Sequence, residues 1–233
     1  MNQEETLYDV VANYTDVERG KFIRKTYGHV ALALFGFVVL ELMIFNIPGL
    51  ADQLVTAMLG VSWLFVIGGF FGVTWVAEKL ANSSTSLANQ YLGLALYVIA
   101  ESVIFVPLLY MAVGATGSVD LLMQAFTVTL ALFGALTAVV FTTKTDFSYL
   151  RQSLMIGGFI ALGMIIAGVL FGFNLGLAFS GFMVVLVSGT ILYQTSNMLY
   201  RYHTSQYVAA ALGLFASFMT LLWYIIRIFM SRD

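Results

Sequence analysis

Two glutamates stand inside otherwise apolar runs of this chain and are its first candidates for chemistry. Glu101 lies between Leu92–Ala100 and Ser102–Met111, and Glu41 lies between Val30–Leu40 and Leu42–Phe45. A carboxylate so placed can ligate a cation or exchange a proton; as a neutral acid it can instead hydrogen-bond to a neighbour. Pro107 follows Glu101 by six residues, and its missing N–H and bulky ring kink a helix or free a carbonyl. A second set is neutral. In the run Tyr193-Gln194-Thr195-Ser196-Asn197, Gln194 and Asn197 fall on one helix face. Ser217 and Thr220 repeat that spacing further on. Two matched polar stripes can bond across a helix pair or hydrate a seam between the helices, and ordinary packing glue is the alternative.

Catalysis finds little support. The two histidines, His29 and His203, are far apart in sequence, and there is no cysteine. His-Glu-x-x-His, a Gly-Lys-Ser/Thr phosphate loop and a Gly-x-Ser-x-Gly elbow are all missing. The chain therefore reads as a non-enzyme with no cofactor, and its sequence names no metal.

The elements that must hold these residues follow from composition. Of 233 residues, 61% are hydrophobic and only 9% charged. A soluble domain carries about 25% charged residues, so the charge here is too sparse to coat a water-soluble surface. One bilayer span needs about 20 apolar residues, and the apolar content fills about seven. Soluble enzyme, disulfide scaffold, nucleic-acid binder and disordered chain are excluded. With a net charge of −2, the chain has no basic field for nucleic acid. Its first partner is the lipid bilayer.

The pattern predicts an all-α integral membrane protein with spans at 27–47, 54–76, 90–112, 119–142, 149–172, 176–200 and 206–229. Asn46-Ile47-Pro48-Gly49 is the stop signal of the first span. Runs such as Ile160–Phe173 are apolar on every face, which excludes the alternating strands of a barrel. Two parts are expected: an acidic cytoplasmic tail over 1–25 and a seven-helix membrane domain over 26–233. In the tail, Leu7, Val10, Val11, Tyr14 and Val17 recur at helical spacing, although a frayed segment is the preferred reading. Eight lysines and arginines (Arg19, Lys21, Arg24, Lys25, Lys79, Lys144, Arg151, Arg201) fall on the N-terminal side of the spans, against Arg227 and Arg232 on the other. The positive-inside rule then puts the N-terminus in the cytoplasm and the C-terminus outside. Gly68-x-x-x-Gly72, Gly168-x-x-x-Gly172 and Ala209-x-x-x-Gly213 are expected to let helices approach closely. Trp63, Trp75, Tyr91, Tyr149 and Tyr224 are expected at the membrane interfaces.

Several of these stretches resemble the Bax inhibitor family, in its bacterial YccA-like branch. Thr143-Lys144-Thr145-Asp146-Phe147-Ser148-Tyr149-Leu150 is similar to that family's Lys-x-Asp-hydrophobic-Ser-hydrophobic-Leu approach to its fifth span. Ile191-Leu192-Tyr193-Gln194 resembles its Ile-Leu-aromatic-Asp segment, and Leu214-Phe215-Ala216-Ser217 through Arg227 resembles its last span. Glu101 with Ser102 and Pro107 resembles its Glu-Gly segment. The resemblance implies a bundle with a central last helix, and residence in a bacterial inner membrane. It also implies a calcium or other cation leak, pH-controlled where an aspartate pair is present, or a partnership with a membrane-embedded protease for which Met1–Glu18 is a handle. Gln194 and Ser217 stand at the positions of that pair, so the pH switch is not expected here. Glu101, Glu41, Gln194, Asn197, Ser217 and Thr220 remain the candidates for an ion pathway or ligand site.

Overall fold

Thr15 and Glu18 start the first helix with reciprocal bonds. The Thr15 hydroxyl accepts from the Glu18 amide at 3.4 Å, and the Glu18 carboxylate accepts from the Thr15 amide at 3.3 Å. Such a capping box satisfies amides that have no partner within the helix. In this computed structural model, which describes residues 10–83 and 86–231, the cap opens α1 (Asp16–Asn46) eleven residues before the predicted span. Residues 1–9 of the acidic tail, and Arg232 of the charge count, lie outside the described residues. The described part of the tail is docked, not frayed. Val11 is fully buried and its amide donates to the Tyr202 carbonyl at 2.9 Å, so the tail holds the connection between the last two helices.

Among the described residues, seven helices are long and apolar enough to cross a membrane. After α1 come α3 (Trp63–Ala81), α4 (Leu87–Thr116), α5 (Asp120–Thr143), α6 (Leu150–Phe171), α7 (Gly176–Tyr200) and α8 (Tyr207–Met230). The predicted second span, 54–76, is corrected. A short helix, α2 (Leu50–Leu59), ends where the Gly60 amide donates to the Thr56 carbonyl, and α3 begins only after Ser62. Ten residues of helix cover about 15 Å, too short to span, so the Gly60-Val61-Ser62 break moves the crossing segment toward the C-terminus. Apart from the early start of α1, the other spans lie within about four residues of expectation. Helix α4 runs unbroken through Pro107, which leaves the Val103 carbonyl without its usual donor four residues on.

Helix α8 is the core. Of its most apolar window, 78% is buried, against 11% for α6. Aromatic rings from three helices surround it: Phe105 against Trp223 at 5.0 Å between centroids, Phe133 against Phe218 at 5.4 Å and Phe179 against Tyr224 at 5.9 Å. Edge-on pairs of this kind add to simple area burial. Tyr224 is thus a core residue and not the interfacial anchor expected of it, whereas Trp75 and Tyr149 are exposed.

Of the small-residue motifs, Ala209-x-x-x-Gly213 packs helix on helix, because Gln194 of α7 sits against Gly213. A β-carbon at Gly68 or Gly72 would meet nothing, and Gly172 terminates α6 at φ +71°. The tightest crossing lies elsewhere. A β-carbon on Gly93 of α4 would collide with the Ala77 carbonyl and the Ala81 amide of α3. Backbone cannot rotate away as a side chain can, so Gly93→Ala should cost about 1–3 kcal/mol. The check is a lowered melting temperature in detergent, with Gly69→Ala, which faces open space, as the unaffected control.

Candidate functional site: a membrane-depth cavity around Glu101

A cavity of about 570 Å³ lies among α3, α4, α6, α7 and α8. Glu101 is 4% exposed and lines it at mid-helix, together with Tyr97 one turn earlier and Thr220 of α8. On α3 the lining runs from Trp63 to Glu78, a rise of about 22 Å of helix at 1.5 Å per residue. That is most of a hydrocarbon core about 30 Å thick. Glu78 lies near the C-terminal end of α3, the end of the bundle at which the alternation of helices also places Lys79, Lys144 and Arg201; Asn174 and Arg227 line the cavity toward the other end. Polar groups therefore mark the cavity at both ends and in the middle, between walls of Phe70, Phe71, Phe105 and Trp223.

The remaining candidates occupy different places. Glu41 of α1 is 7% exposed, and neither carboxylate oxygen has a hydrogen-bond partner; it is not part of the cavity lining. Gln194 and Ser217 converge on Gly213. The Gln194 amide packs against that glycine, and the Ser217 hydroxyl donates to its carbonyl at 3.0 Å. Thr220 turns away from this seam into the Glu101 cavity, and its hydroxyl donates to the Ala216 carbonyl at 2.9 Å. Asn197 is buried with its side-chain carbonyl unpartnered. Sequence spacing grouped four polar residues in one stripe pair; packing leaves Gln194 and Ser217 near Gly213, puts Thr220 in the cavity and places Asn197 at neither. Glu78 and Tyr97 were missed. The signal that could have found them is their four-residue spacing from Thr74 and Glu101, which repeats one helix face.

Asp146, in the connection between α5 and α6, ties the helix ends together. Its carboxylate accepts from the Ser148 amide at 2.9 Å and the Ser196 hydroxyl at 3.1 Å, and pairs with Arg201 at 3.8 Å. Partial desolvation pushes its carboxyl up, but the bonds from Ser148 and Ser196 and the Arg201 charge outweigh this and hold it below the ordinary range. A lowered value means the bound carboxylate stabilises the fold above the usual pKa of about 3.9, and that this contribution is lost as pH falls through the lowered value. The side chain is nearly half exposed, so Asp146→Asn should cost only about 0.5–1 kcal/mol at neutral pH. Thermal melts from pH 6 to pH 3 should show the difference between parent and variant shrinking with acidity.

The family model described as "Inhibitor of apoptosis-promoting Bax1" matches residues 19–233. The chain belongs to the Bax inhibitor family. It is 30% identical over 167 residues to an uncharacterized protein of Pseudomonas aeruginosa, covering 70% of this chain and 72% of that one. It is 29% identical over 175 residues to the protein of Escherichia coli described as "Modulator of FtsH protease YccA", covering 73% of this chain and 76% of the relative. Bax inhibitor 1 of Schizosaccharomyces pombe is 33% identical over 119 residues, 48% of this chain and 42% of that one. As a Bax inhibitor family member with seven membrane-length helices among the described residues, α8 at their centre, the chain is a multi-pass membrane protein.

Proposed function

We propose that this Bax inhibitor family protein is a non-enzymatic membrane protein that passes cations along the Glu101 cavity. The observation that carries this reading is the buried Glu101 carboxylate facing a cavity about as long as most of a bilayer core. An ionisable side chain at that depth costs at least about 2.5–3.5 kcal/mol, which a passing cation or proton offsets. Glu78 at the basic end gives an ion its first carboxylate, and Thr220 its next oxygen. A dedicated calcium site takes 6–8 oxygens, and no group of three or more His, Asp or Glu able to hold a metal occurs among the described residues. Passage therefore fits better than storage. The test is flux of calcium and of potassium into liposomes carrying the purified protein; no flux above empty liposomes for either ion defeats the reading.

A second reading is favoured by the Escherichia coli relative described as a modulator of FtsH protease. In it, the chain acts by contact as a modulator or substrate of a membrane-embedded protease, with Met1–Glu18 as the segment engaged. Removal of residues 2–9, which spares the docked Val11, should leave the melting temperature intact, and loss of association with a co-expressed membrane protease in that variant supports this reading. Unchanged association counts against the segment.

Both readings place the protein in a bacterial inner membrane, in keeping with a relative described as "Inner membrane protein YccA". The eight-to-two bias of lysine and arginine supports an N-terminus in the cytoplasm and a C-terminus outside. A C-terminal fusion should give activity with a reporter that works only outside the cytoplasm. Activity only with a cytoplasmic reporter overturns this orientation.

A further inference from the structure

The Glu101 cavity is far larger than an inorganic ion requires. About 570 Å³ lies within the range of sites for small organic ligands, about 300–1,000 Å³. Most of the wall is apolar or aromatic, and at its middle Glu101, 4% exposed, is directed into the space. A carboxylate among aromatic faces is the chemistry that recognises an organic ammonium group: the charge meets the carboxylate, while the rings attract the cation and cover its hydrocarbon. Phe71 on α3 and Gly158 on α6 line the cavity and are also exposed on the outside of the bundle, so it opens sideways between these two helices. A ligand concentrated in lipid has access there. Arg227 repels an ammonium from the opposite end, which leaves the half containing Glu101 and Glu78 for its charge.

We propose that the cavity between α3 and α6 binds a lipophilic organic monocation, its ammonium group against the Glu101 carboxylate and its apolar body among Phe70, Phe71, Phe105 and Trp223. The inference rests on the reading of Glu101 as the residue that meets cations, and it narrows the ligand to one class. A dicarboxylate cradle for a divalent metal and a purely apolar lipid pocket are the two arrangements it replaces. One deep carboxylate suits one positive charge, and a pocket for acyl chains alone has no use for it.

The probe is 1-naphthylmethylamine, with 1-naphthalenemethanol as its neutral isostere, in equilibrium dialysis against the full chain in lipid nanodiscs; empty nanodiscs correct for partitioning. The expected result is saturable one-site binding of the amine, with the alcohol weaker by about tenfold or more, a difference of about 1.4 kcal/mol. Glu101→Gln should bring the amine down to the level of the alcohol. Gly158→Phe, at a lining position where an added β-carbon meets no atom within 4 Å, puts a ring at the mouth between α3 and α6 and should block both probes with Glu101 intact, and it decides the matter if Glu101→Gln fails to fold. Equal binding of amine and alcohol, amine binding unchanged in a folded Glu101→Gln or Gly158→Phe variant, or no saturable binding above empty nanodiscs overturns the proposal. Ion flux measured on the same preparation separates the two ideas. Flux without amine binding removes the organic ligand alone, and amine binding without flux supports the ligand site while removing the permeation reading.

Discussion

Glu101→Gln should reduce cation flux to the level of empty liposomes while leaving the melting temperature of the protein within a few degrees of the parent. Glutamine keeps the length and shape of the side chain and both kinds of hydrogen-bonding atom, so the packing around Tyr97, Phe105 and Trp223 has no reason to change. What it removes is the charge. A cation that has left water at bilayer depth is held there by little else, because the rest of the lining at that level is apolar apart from Tyr97 and Thr220. The change should therefore cost well over tenfold in flux, and should do so for potassium and calcium alike. Glu41→Gln is the matched control. Glu41 is as buried as Glu101 but does not line the cavity, so its neutral isostere should leave flux unchanged. If both variants conduct like the parent, Glu101 is a structural acid and the permeation reading loses the residue on which it stands. If both lose flux together with stability, the effect is one of folding, and rescue by Glu101→Asp separates the two causes.

The spans and the placement of Glu101 were legible because both depend on local pattern. Twenty apolar residues in a row mean a crossing whatever their neighbours do, and a lone carboxylate midway along such a run lies at depth by simple counting. The second span went wrong for an equally physical reason. Residues 54–76 are apolar enough to cross, but Gly60-Val61-Ser62 breaks the helix, and hydropathy does not weigh a break of three residues. The faces of the helices were less legible. On a helix apolar all round, periodicity does not say which side meets protein and which meets lipid. Gly68 and Gly72 therefore looked like a packing motif and face open space, whereas Gly93, with no motif around it, makes the closest crossing. Glu78 escaped notice for the same reason, since only the packing of α3 against α4 brings it to one cavity with Glu101, whereas Tyr97 shares the Glu101 face of α4 one turn earlier. Tyr224 was assigned to the interface by its position near a span end, but the burial of α8 on every side overrides that position.

Gln194→Asp combined with Ser217→Asp should turn a pH-insensitive seam into a pH-sensitive one. Both native side chains are neutral, and both meet at Gly213, Gln194 through its amide and Ser217 through the bond to the Gly213 carbonyl. Two carboxylates placed there share one proton in acid, and a pair so coupled titrates as a unit. The sign follows from burial. The protonated pair is the form the folded seam favours, so stability is present at low pH and is lost as pH rises and the second charge appears. Two unit charges repel by about 4 kcal/mol at about 4 Å and an effective dielectric of 20, and by less as they separate, a repulsion that works to part α7 from α8 near Gly213. Melting temperatures in detergent between pH 5 and pH 8 should be nearly flat for the parent and should fall steeply for the double variant. Each single variant should show less than half of that fall, since the repulsive term needs both carboxylates. A double variant that is folded and as flat as the parent would show that the two positions do not share a seam. It would also remove the physical reason for reading Gln194 and Ser217 as the neutral counterpart of the aspartate pair implied by the family resemblance.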